Sequence, residues 1–532
     1  MLNQRYKDFS KLIVYQIYPR SFFDSNGDGI GDLNGITQKV SHLKELGVNA
    51  VWLSPCYKSP NVDNGYDISD YRDIMDEFGT MDDWKCMIKT LHDNGIKLIM
   101  DLVPNHTSDK HEWFIQSKKG KNNPYSDYYY WFDTPPNDWQ ACFGGSAYEY
   151  SPERGQYYLH SYAVEQPDLN FDNPKVREEV KAIIDFWVDL GVDGFRIDVI
   201  DQISKDFENG NNYFGENLHK YINELFGREK TAHLYTVGEC WAESIEEVIN
   251  HCGQDRKELS SLFQFDHITH GRKTRFEPKP FTISEITSDL DRWQNLTIEN
   301  DILYTLFMDN HDNPRFLSRF GCDKKYRYES ASMFAGMFYL QRGIPFIYQG
   351  QEFGMTNSFH SDFSSFRDVE NFHYYNSNKG KMKEKELMER INFGSRDNAR
   401  RPLSWTGEKH AGFSKIEPWI PTYSEYKKIN LEKDKKSKKS VFDFYKKLLS
   451  FRMNSDVIIY GDYANATGNN QNCYAYLRSF GEQKLLVVCN FGVKNSISFN
   501  YKNAEYLFGN YKGGRKTISG SYRPFELAVY KI

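Results

Sequence analysis

Short apolar runs recur along this chain: LIVYQI at 12–17, AVWL at 50–53, KLIMDL at 97–102, GFRID at 194–198, YTVGE at 235–239, LFQF at 262–265, LYTLF at 303–307 and PFIYQ at 345–349. They are continuous rather than alternating, which is the pattern of strands covered on both faces in a parallel sheet. Helical periodicity separates most of them. Over 174–190, Asn173 is placed to cap, Pro174 opens the first turn, and Val176, Val180, Ile183, Ile184 and Trp187 form one apolar face before Gly191. Segments 36–46, 82–93 and 328–341 read likewise, the first two stopped by Gly47 and Gly95. Eight strands alternating with helices predict an α/β chain closed into a (β/α)8 TIM barrel.

Two stretches break the alternation. Residues 104–173 are rich in Tyr, Asn, Gly and Pro. A structureless loop of that length is implausible in a compact domain, so an inserted small domain is expected after the third strand. After a helix at 441–452, strand-like runs at 472–478, 484–490, 495–500 and 525–531 predict a C-terminal all-β domain. The expected division is 1–103 and 174–455 for the barrel, 104–173 for the insertion and 456–532 for the β domain. The lysine-rich stretch 427–439 reads as a solvated face or mobile loop.

Composition narrows the function classes. The 532 residues include 39% hydrophobic positions, enough for a sizeable core. No run approaches the roughly 18 unbroken apolar residues of a membrane span. The first residues carry no apolar signal-peptide region, which points to the cytoplasm. A net charge of −6 without a basic concentration argues against nucleic acid. Eight scattered cysteines with no CxxC suit reduced thiols in the same compartment. Aromatic residues reach 16%, with 37 Tyr and 38 Phe, and exposed aromatics are what sugar rings stack on.

Three acids stand at or just beyond the ends of apolar runs: Asp198, Glu239 and Asp312. A fourth run ends in Asp101, with Asn105 and His106 beyond it. One such acid would suit a helix cap or a satisfied buried carboxylate; the repetition points to polar chemistry on one rim. If the strands bearing Asp198 and Glu239 are neighbours, their axes lie about 4.8 Å apart. That is compatible with the roughly 5–5.5 Å carboxyl separation of retaining glycosidases. Arg196, two residues before Asp198 on the same strand face, is placed to lower its pKa. DSNGDGIGD puts Asp24, Asn26, Asp28, Ile30 and Asp32 at alternate positions, the spacing of Ca²⁺ ligands in an EF-hand loop. Gly35 occupies the twelfth position instead of a bidentate Glu, so this is not an EF-hand.

DLVPNH, GFRIDV, TVGE and FMDNHD resemble the four ordered motifs of the α-amylase superfamily, glycoside hydrolase family 13, and QPDLN at 166–170 resembles its fifth. QIYPRSFFDSNGDGIGDLNGI, DNGYDISDY at 63–71 and SRDNAR at 395–400 place the resemblance in the oligo-1,6-glucosidase and α-glucosidase branch, over nearly the whole chain. The resemblance implies Asp198 as nucleophile, Glu239 as general acid/base and Asp312 as transition-state stabiliser. It implies that His106, Arg196 and His311 hold the glucose at the cleavage point. Asp63 and Arg400 would grip its 4- and 6-hydroxyls and close the pocket, hence exo action, with Tyr66 as stacking platform. Phe143 would border the acceptor and Gln166 would reach in from the inserted domain. Val199 goes with α-1,6 preference in this branch, although relatives acting on trehalose 6-phosphate also carry valine.

The first-loop residues would hold a structural Ca²⁺ or Mg²⁺, Ile30 through its carbonyl, and no cofactor is implied for the chemistry. Members usually read RDNARTPMQW where this chain reads RDNARRPLSW; Arg401 is expected to point to solvent, or else to favour an anionic or unusual aglycone. The expectation is an exo-acting retaining α-glucosidase taking α-1,6-linked glucose from isomaltose and short isomalto-oligosaccharides, with a small α-glucoside or oligosaccharide as substrate and neither nucleic acid nor membrane as partner. The alternatives are an α-1,4 or mixed α-glucosidase, a trehalose-6-phosphate hydrolase and a sucrose isomerase. NPRFLSRFG, where isomerases carry a charged RLDRD-type segment, argues against the last. A non-catalytic relative conflicts with the three retained acids.

Overall fold

The structure, a computed structural model, describes residues 4–468, 470–501 and 503–532. The eight apolar runs form β1 (Val14–Ile17), β2 (Ala50–Leu53), β3 (Lys97–Leu102), β4 (Gly194–Ile197), β5 (Tyr235–Gly238), β6 (Ser261–Leu262), β7 (Leu303–Phe307) and β8 (Ile344–Tyr348). They pair in chain order, all parallel, and β8 closes on β1. Except for Lys97 at the start of β3, every barrel-strand residue is buried, which is why the runs are apolar without alternation. β6 is shorter than its run: Phe263 and Phe265 lie beyond it, where Phe263 packs on Phe346 (4.9 Å) and Trp52 (5.6 Å).

The helix Pro174–Asp189 forms as its sequence predicts. The Asn173 side chain accepts from the Lys175 amide, Pro174 opens the helix, and the expected apolar face is buried. The stretch expected as one helix at 36–46 is two, Leu33–Gln38 and Val40–Leu46. Lys39 leaves the helical conformation between them and sets its ammonium over the rings of Phe23 (3.8 Å) and Trp405 (4.6 Å).

Between β3 and β4, the chain forms the helix Glu112–Ser117 and a three-stranded antiparallel sheet of Trp131–Phe132, Gln156–Leu159 and Tyr148–Ser151. A buried ion pair ties this region to the barrel. Lys205 Nζ lies 2.7 Å from Asp168 Oδ2 and donates to Asn105 Oδ1 at 2.8 Å, with the Lys205 and Asp168 side chains fully inaccessible. The C-terminal sheet comprises β9 (Asp462–Asn465), β10 (Cys473–Phe480), β11 (Gln483–Asn490), β12 (Glu505–Gly509) and β13 (Leu527–Lys531), in the order β9-β10-β11-β13-β12. β9 and β12 are edge strands: β9 buries only Tyr463, and in β12 the short run Tyr506–Phe508 is half-buried against the core, a weaker signal than the longer runs of β10, β11 and β13. Gly336, in the helix Arg327–Tyr339, allows that helix to sit against this sheet, since a Cβ there would collide with Leu527.

The lysine-rich stretch is exposed over most of its length but ordered: Leu431–Lys435 is helical, Lys435 pairs with Glu45 at 2.6 Å, and Lys439 pairs with Glu329. Among the described residues, no helix is long and apolar enough to cross a membrane.

Candidate active site

The C-terminal ends of the barrel strands open into a cavity of about 540 Å³, shared with the inserted region. Of the expected residues, Asp63, Tyr66, His106, Phe143, Asp198, Val199, Glu239 and Asp312 line it. Gln166, Arg196, His311 and Arg400 are almost wholly buried and act on the lining from behind.

Strand register explains the centre of the site. Ile197 pairs with Gly238 across β4 and β5, so Asp198 and Glu239 leave adjacent strands at one level. Arg196 pairs with Asp101 across β3 and β4. Its guanidinium donates to Asp101 Oδ1 (2.8 Å) and Asp198 Oδ1 (2.6 Å) from one nitrogen, and to Glu239 Oε2 from the other. One guanidinium therefore joins both carboxyls, which lie closer than the roughly 10 Å beyond which neither glycosidase geometry works. The electrostatic balance differs from the expectation that Arg196 lowers the pKa of Asp198. Burial raises it and the Glu239 and Asp101 carboxylates add to the rise; Arg196 pulls it down without cancelling them. Three carboxylates on one guanidinium leave the cluster short of positive charge, so it retains a proton more readily than an exposed acid would.

Asp312 is tuned the other way. Burial opposes its ionisation, but His311, Arg400 and Arg396 outweigh that and hold its pKa well below the usual carboxylate range. Arg400 donates to Asp312 Oδ1 at 2.8 Å, Arg396 to the same atom at 3.2 Å, and His311 Nε2 lies 3.0 Å from Oδ2. His311 is fixed by Gln16 on Nδ1 (2.9 Å) and Tyr66 Oη on Nε2 (2.7 Å), with the Tyr66 ring stacked on it at 5.3 Å. Tyr66 also donates to Asp101 Oδ2 at 3.1 Å.

Asp63 and Arg400, expected to grip one sugar from two sides, are linked here through Arg396 and Asp312. Arg396 Nη2 reaches Asp63 Oδ1 at 3.3 Å, while Arg400 lies on Asp312 and, at 3.8 Å, on Asp368. Arg396 is thus the cation that links Asp63, Asp312 and Asp368, and its ring neighbour is Phe143 at 5.0 Å. Burial raises the Asp63 pKa to about 7 against the pull of Arg396 and Arg400. Gln166 Nε2 bridges Asp63 Oδ2 (3.3 Å) and His106 Nε2 (3.2 Å). Burial lowers the His106 pKa to about 4, with Asp168 opposing.

Sequence reasoning quoted SRDNAR without singling out Arg396, and did not find Asp368, which lies outside every motif. Val199 holds a left-handed backbone at φ 34°, ψ 51°, a rare conformation for a β-branched residue, and lines the cavity beside Asp198. Arg401 corrects an expectation: its guanidinium points inward, donating to the carbonyls of Pro421 (2.8 Å) and Ser365 (3.3 Å), with only 1% of the residue exposed. It does not line the cavity.

In the first loop, Asp24 accepts from the Gly27 and Gly29 amides, Asn26 from Asp28, Asp28 from Ile30, and Asp32 from Ser25 and Gly35. The donor set is all oxygen, which suits Ca²⁺ or Mg²⁺ in type. No three His, Cys, Asp or Glu side chains among the described residues are grouped to hold a metal. A cation here would have to draw Asp24, Asp28 and Asp32 together.

Comparison with known proteins extends these observations. Residues 16–461 match the family model described as the alpha amylase catalytic domain. The oligo-1,6-glucosidase of Parageobacillus thermoglucosidasius is 44% identical, over 98% of this chain and 99% of that protein. The crystal structure of Bacillus licheniformis trehalose-6-phosphate hydrolase superposes with a TM-score of 0.92 at 39% identity, covering 98% of this chain and 99% of that one. A trehalulose synthase variant solved with glucose gives 0.93 at 38% identity, with the same coverage of both chains.

Proposed function

This chain belongs to the α-amylase family of glycoside hydrolases, family 13, and from that premise we propose an exo-acting, retaining α-glucosidase that removes non-reducing-end α-1,6-linked glucose from isomaltose and short isomalto-oligosaccharides. The observation that carries the reading is the single guanidinium of Arg196 holding Asp198 and Glu239 together under one cavity. Asp198 attacks the anomeric carbon as that carbon's bond to the leaving oxygen breaks, and Glu239 gives that oxygen its proton. Water, deprotonated by Glu239, then releases glucose from Asp198. Asp312, kept anionic by His311, Arg400 and Arg396, faces the positive charge that develops on the sugar ring. Asp63, gripped by Arg396, closes the glucose end.

Relatives 41–44% identical over 98% of this chain carry the name oligo-1,6-glucosidase, which supports the α-1,6 linkage. The test is a side-by-side comparison of kcat/KM on isomaltose, maltose, sucrose, trehalose and trehalose 6-phosphate. A rate on maltose or trehalose 6-phosphate above that on isomaltose rejects the reading. One observation favours the trehalose-6-phosphate alternative: Arg272 lines the cavity with a hydrogen bond to Asn313 (3.2 Å) and, among the described residues, forms no salt bridge, the Glu370 carboxylate acting on it from longer range.

Val199 makes the linkage preference testable. It lines the cavity immediately after Asp198. Val199→Thr keeps the β-branch and adds a hydroxyl, so maltose turnover should rise relative to isomaltose by roughly 10-fold, within the 1–3 kcal/mol that one such contact supplies. An unchanged ratio in parallel assays removes Val199 from the specificity.

We further propose that Asp24, Asn26, Asp28, Asp32 and the Ile30 carbonyl bind a structural Ca²⁺ or Mg²⁺. Binding only to the folded state would stabilise it by RT ln(1 + [L]/Kd), so chelation should lower the melting temperature by a few degrees. Identical melting curves with and without chelator would leave the loop metal-free. The eight free thiols suit a reducing cytoplasm as the working compartment.

A further inference from the structure

The three-stranded sheet of the inserted region has two unlike faces. Side chains alternate along each strand, so Trp131, Tyr158 and Glu149 share one face and Phe132, Tyr157 and Tyr150 share the other. The first face is covered. Phe114, in the helix Glu112–Ser117, stacks on Trp131 at 5.6 Å and meets the Tyr158 ring edge-on at 5.0 Å. On the second face, Phe132, Tyr157 and Tyr150 stand opposite one another on neighbouring strands and form a row about 10 Å long. Tyr150, at its outer end, is 47% exposed. Its ring lies 5.1 Å from that of half-buried Tyr157 and is inclined to it by 57°, so the pair makes a shallow cradle.

The other end of the row leads to the catalytic cavity. Phe207 packs on Phe132 at 5.4 Å and on Trp139 at 5.1 Å, and the Trp139 indole donates to the Gly210 carbonyl at 2.9 Å. Asp206 and Asn211 exchange backbone hydrogen bonds at 2.7 and 2.9 Å, so the loop closes on itself within a residue of both Phe207 and Asn212. Asn212 and Tyr213 line the cavity, and Tyr213 is 46% exposed. Aromatic side chains thus run from the cradle at Tyr150 to the cavity wall at Tyr213.

We propose that Tyr150 and Tyr157 form a carbohydrate site separate from the catalytic cavity, which holds a stretch of an α-1,6-linked glucan chain. The choice of glucan rests on the α-1,6-glucosidase reading of the cavity. A sugar ring is apolar on its C–H faces and polar at its hydroxyl rim, and a tyrosine ring matches it with an apolar face and a hydroxyl tip. Phe132, Tyr157 and Tyr150 carry no charge, so the row offers nothing to an anionic ligand. An exo-acting pocket takes only chain ends, which are scarce in a long polymer. A chain held on the cradle keeps its own ends close, so their effective concentration at the pocket rises. Isomaltose gains nothing, because it has no chain to hold outside the pocket.

Native electrophoresis through gels containing dextran, an α-1,6-linked glucan, tests the site, with excess glucose added to fill the catalytic pocket. Wild type should be retarded relative to a plain gel. The double variant Tyr150→Ser, Tyr157→Ser should bind dextran with an apparent Kd at least about fivefold weaker. Its kcat/KM should stay within about twofold of wild type on isomaltose and fall by about threefold or more on dextran. Tyr150→Ser alone, at an exposed position, should show the same changes in smaller measure, and it decides the matter if the double variant does not fold.

Equal retardation of wild type and variants would overturn the inference, as would a wild type that glucose releases from the dextran gel. Sedimentation showing a dimer that Tyr150→Ser dissolves would assign the face to a second copy of the chain and overturn it equally. The surface site and the catalytic assignment fail separately. A wild type that hydrolyses isomaltose but migrates freely through dextran loses the surface site; one that dextran retards but that leaves isomaltose intact loses the catalytic assignment.

Discussion

Asp198→Asn is expected to lose isomaltose hydrolysis by on the order of 10⁴-fold or more, because the amide cannot form the glycosyl–enzyme bond on which both half-reactions depend. The fold should survive the change. Asp198 shares Arg196 with Asp101 and Glu239, so replacing one of three crowded carboxylates by a neutral amide relieves repulsion without leaving the guanidinium bare. The melting temperature should accordingly stay level or rise, as is common when a site built for charge is neutralised. Sugar affinity should persist, since Tyr66, His106, Asp63 and Arg396 remain in place. Turnover, thermal unfolding and calorimetric binding of isomaltose check the three parts. Turnover within tenfold of wild type would reject Asp198 as nucleophile; a collapsed melting temperature would show that its main role is structural.

Continuous apolar runs announced the barrel because every strand is covered on both faces, and the motifs at their ends placed Asp198, Glu239 and Asp312 on one rim. Three features escaped for physical reasons. β9 and β12 lie at sheet edges, where β9 buries one residue and β12 only half-buries a three-residue apolar run, too short to stand out as a strand. Arg401 falls in a run of charges that reads as surface, and only the folded chain supplies the Pro421 and Ser365 carbonyls that draw it inward. Asp368 is distant in sequence from every acid it serves; its link to the site passes through Arg396 and Arg400, whose attraction outweighs burial and holds its pKa at about 2. The pKa of Asp198 went astray for a related reason. One arginine beside an aspartate predicts a lowered pKa, but the sequence does not reveal that two other carboxyls share that arginine.

That shared arginine defines the second large effect. Arg196→Met should abolish measurable isomaltose hydrolysis and, unlike Asp198→Asn, should also destabilise the fold by about 3–5 kcal/mol. The side chain is 3% exposed and holds Asp101, itself fully inaccessible, as well as the two rim acids. Methionine fills much of the volume over Trp52, so the loss comes from three carboxyls left without a counter-charge rather than from a void. Those carboxyls would take up protons to escape the penalty. The deficit should therefore shrink as pH falls and the carboxylates neutralise, and grow towards pH 8. Arg196→Lys provides one charge without the two-pronged fork, so it should recover stability more than activity. Chemical denaturation at pH 5 and pH 8, alongside turnover of the three proteins, separates the two functions of the guanidinium. If Arg196→Met were as stable as wild type at pH 8, the carboxyls could not be sharing one buried positive charge, and the proximity of Asp198 to Glu239 would need another explanation.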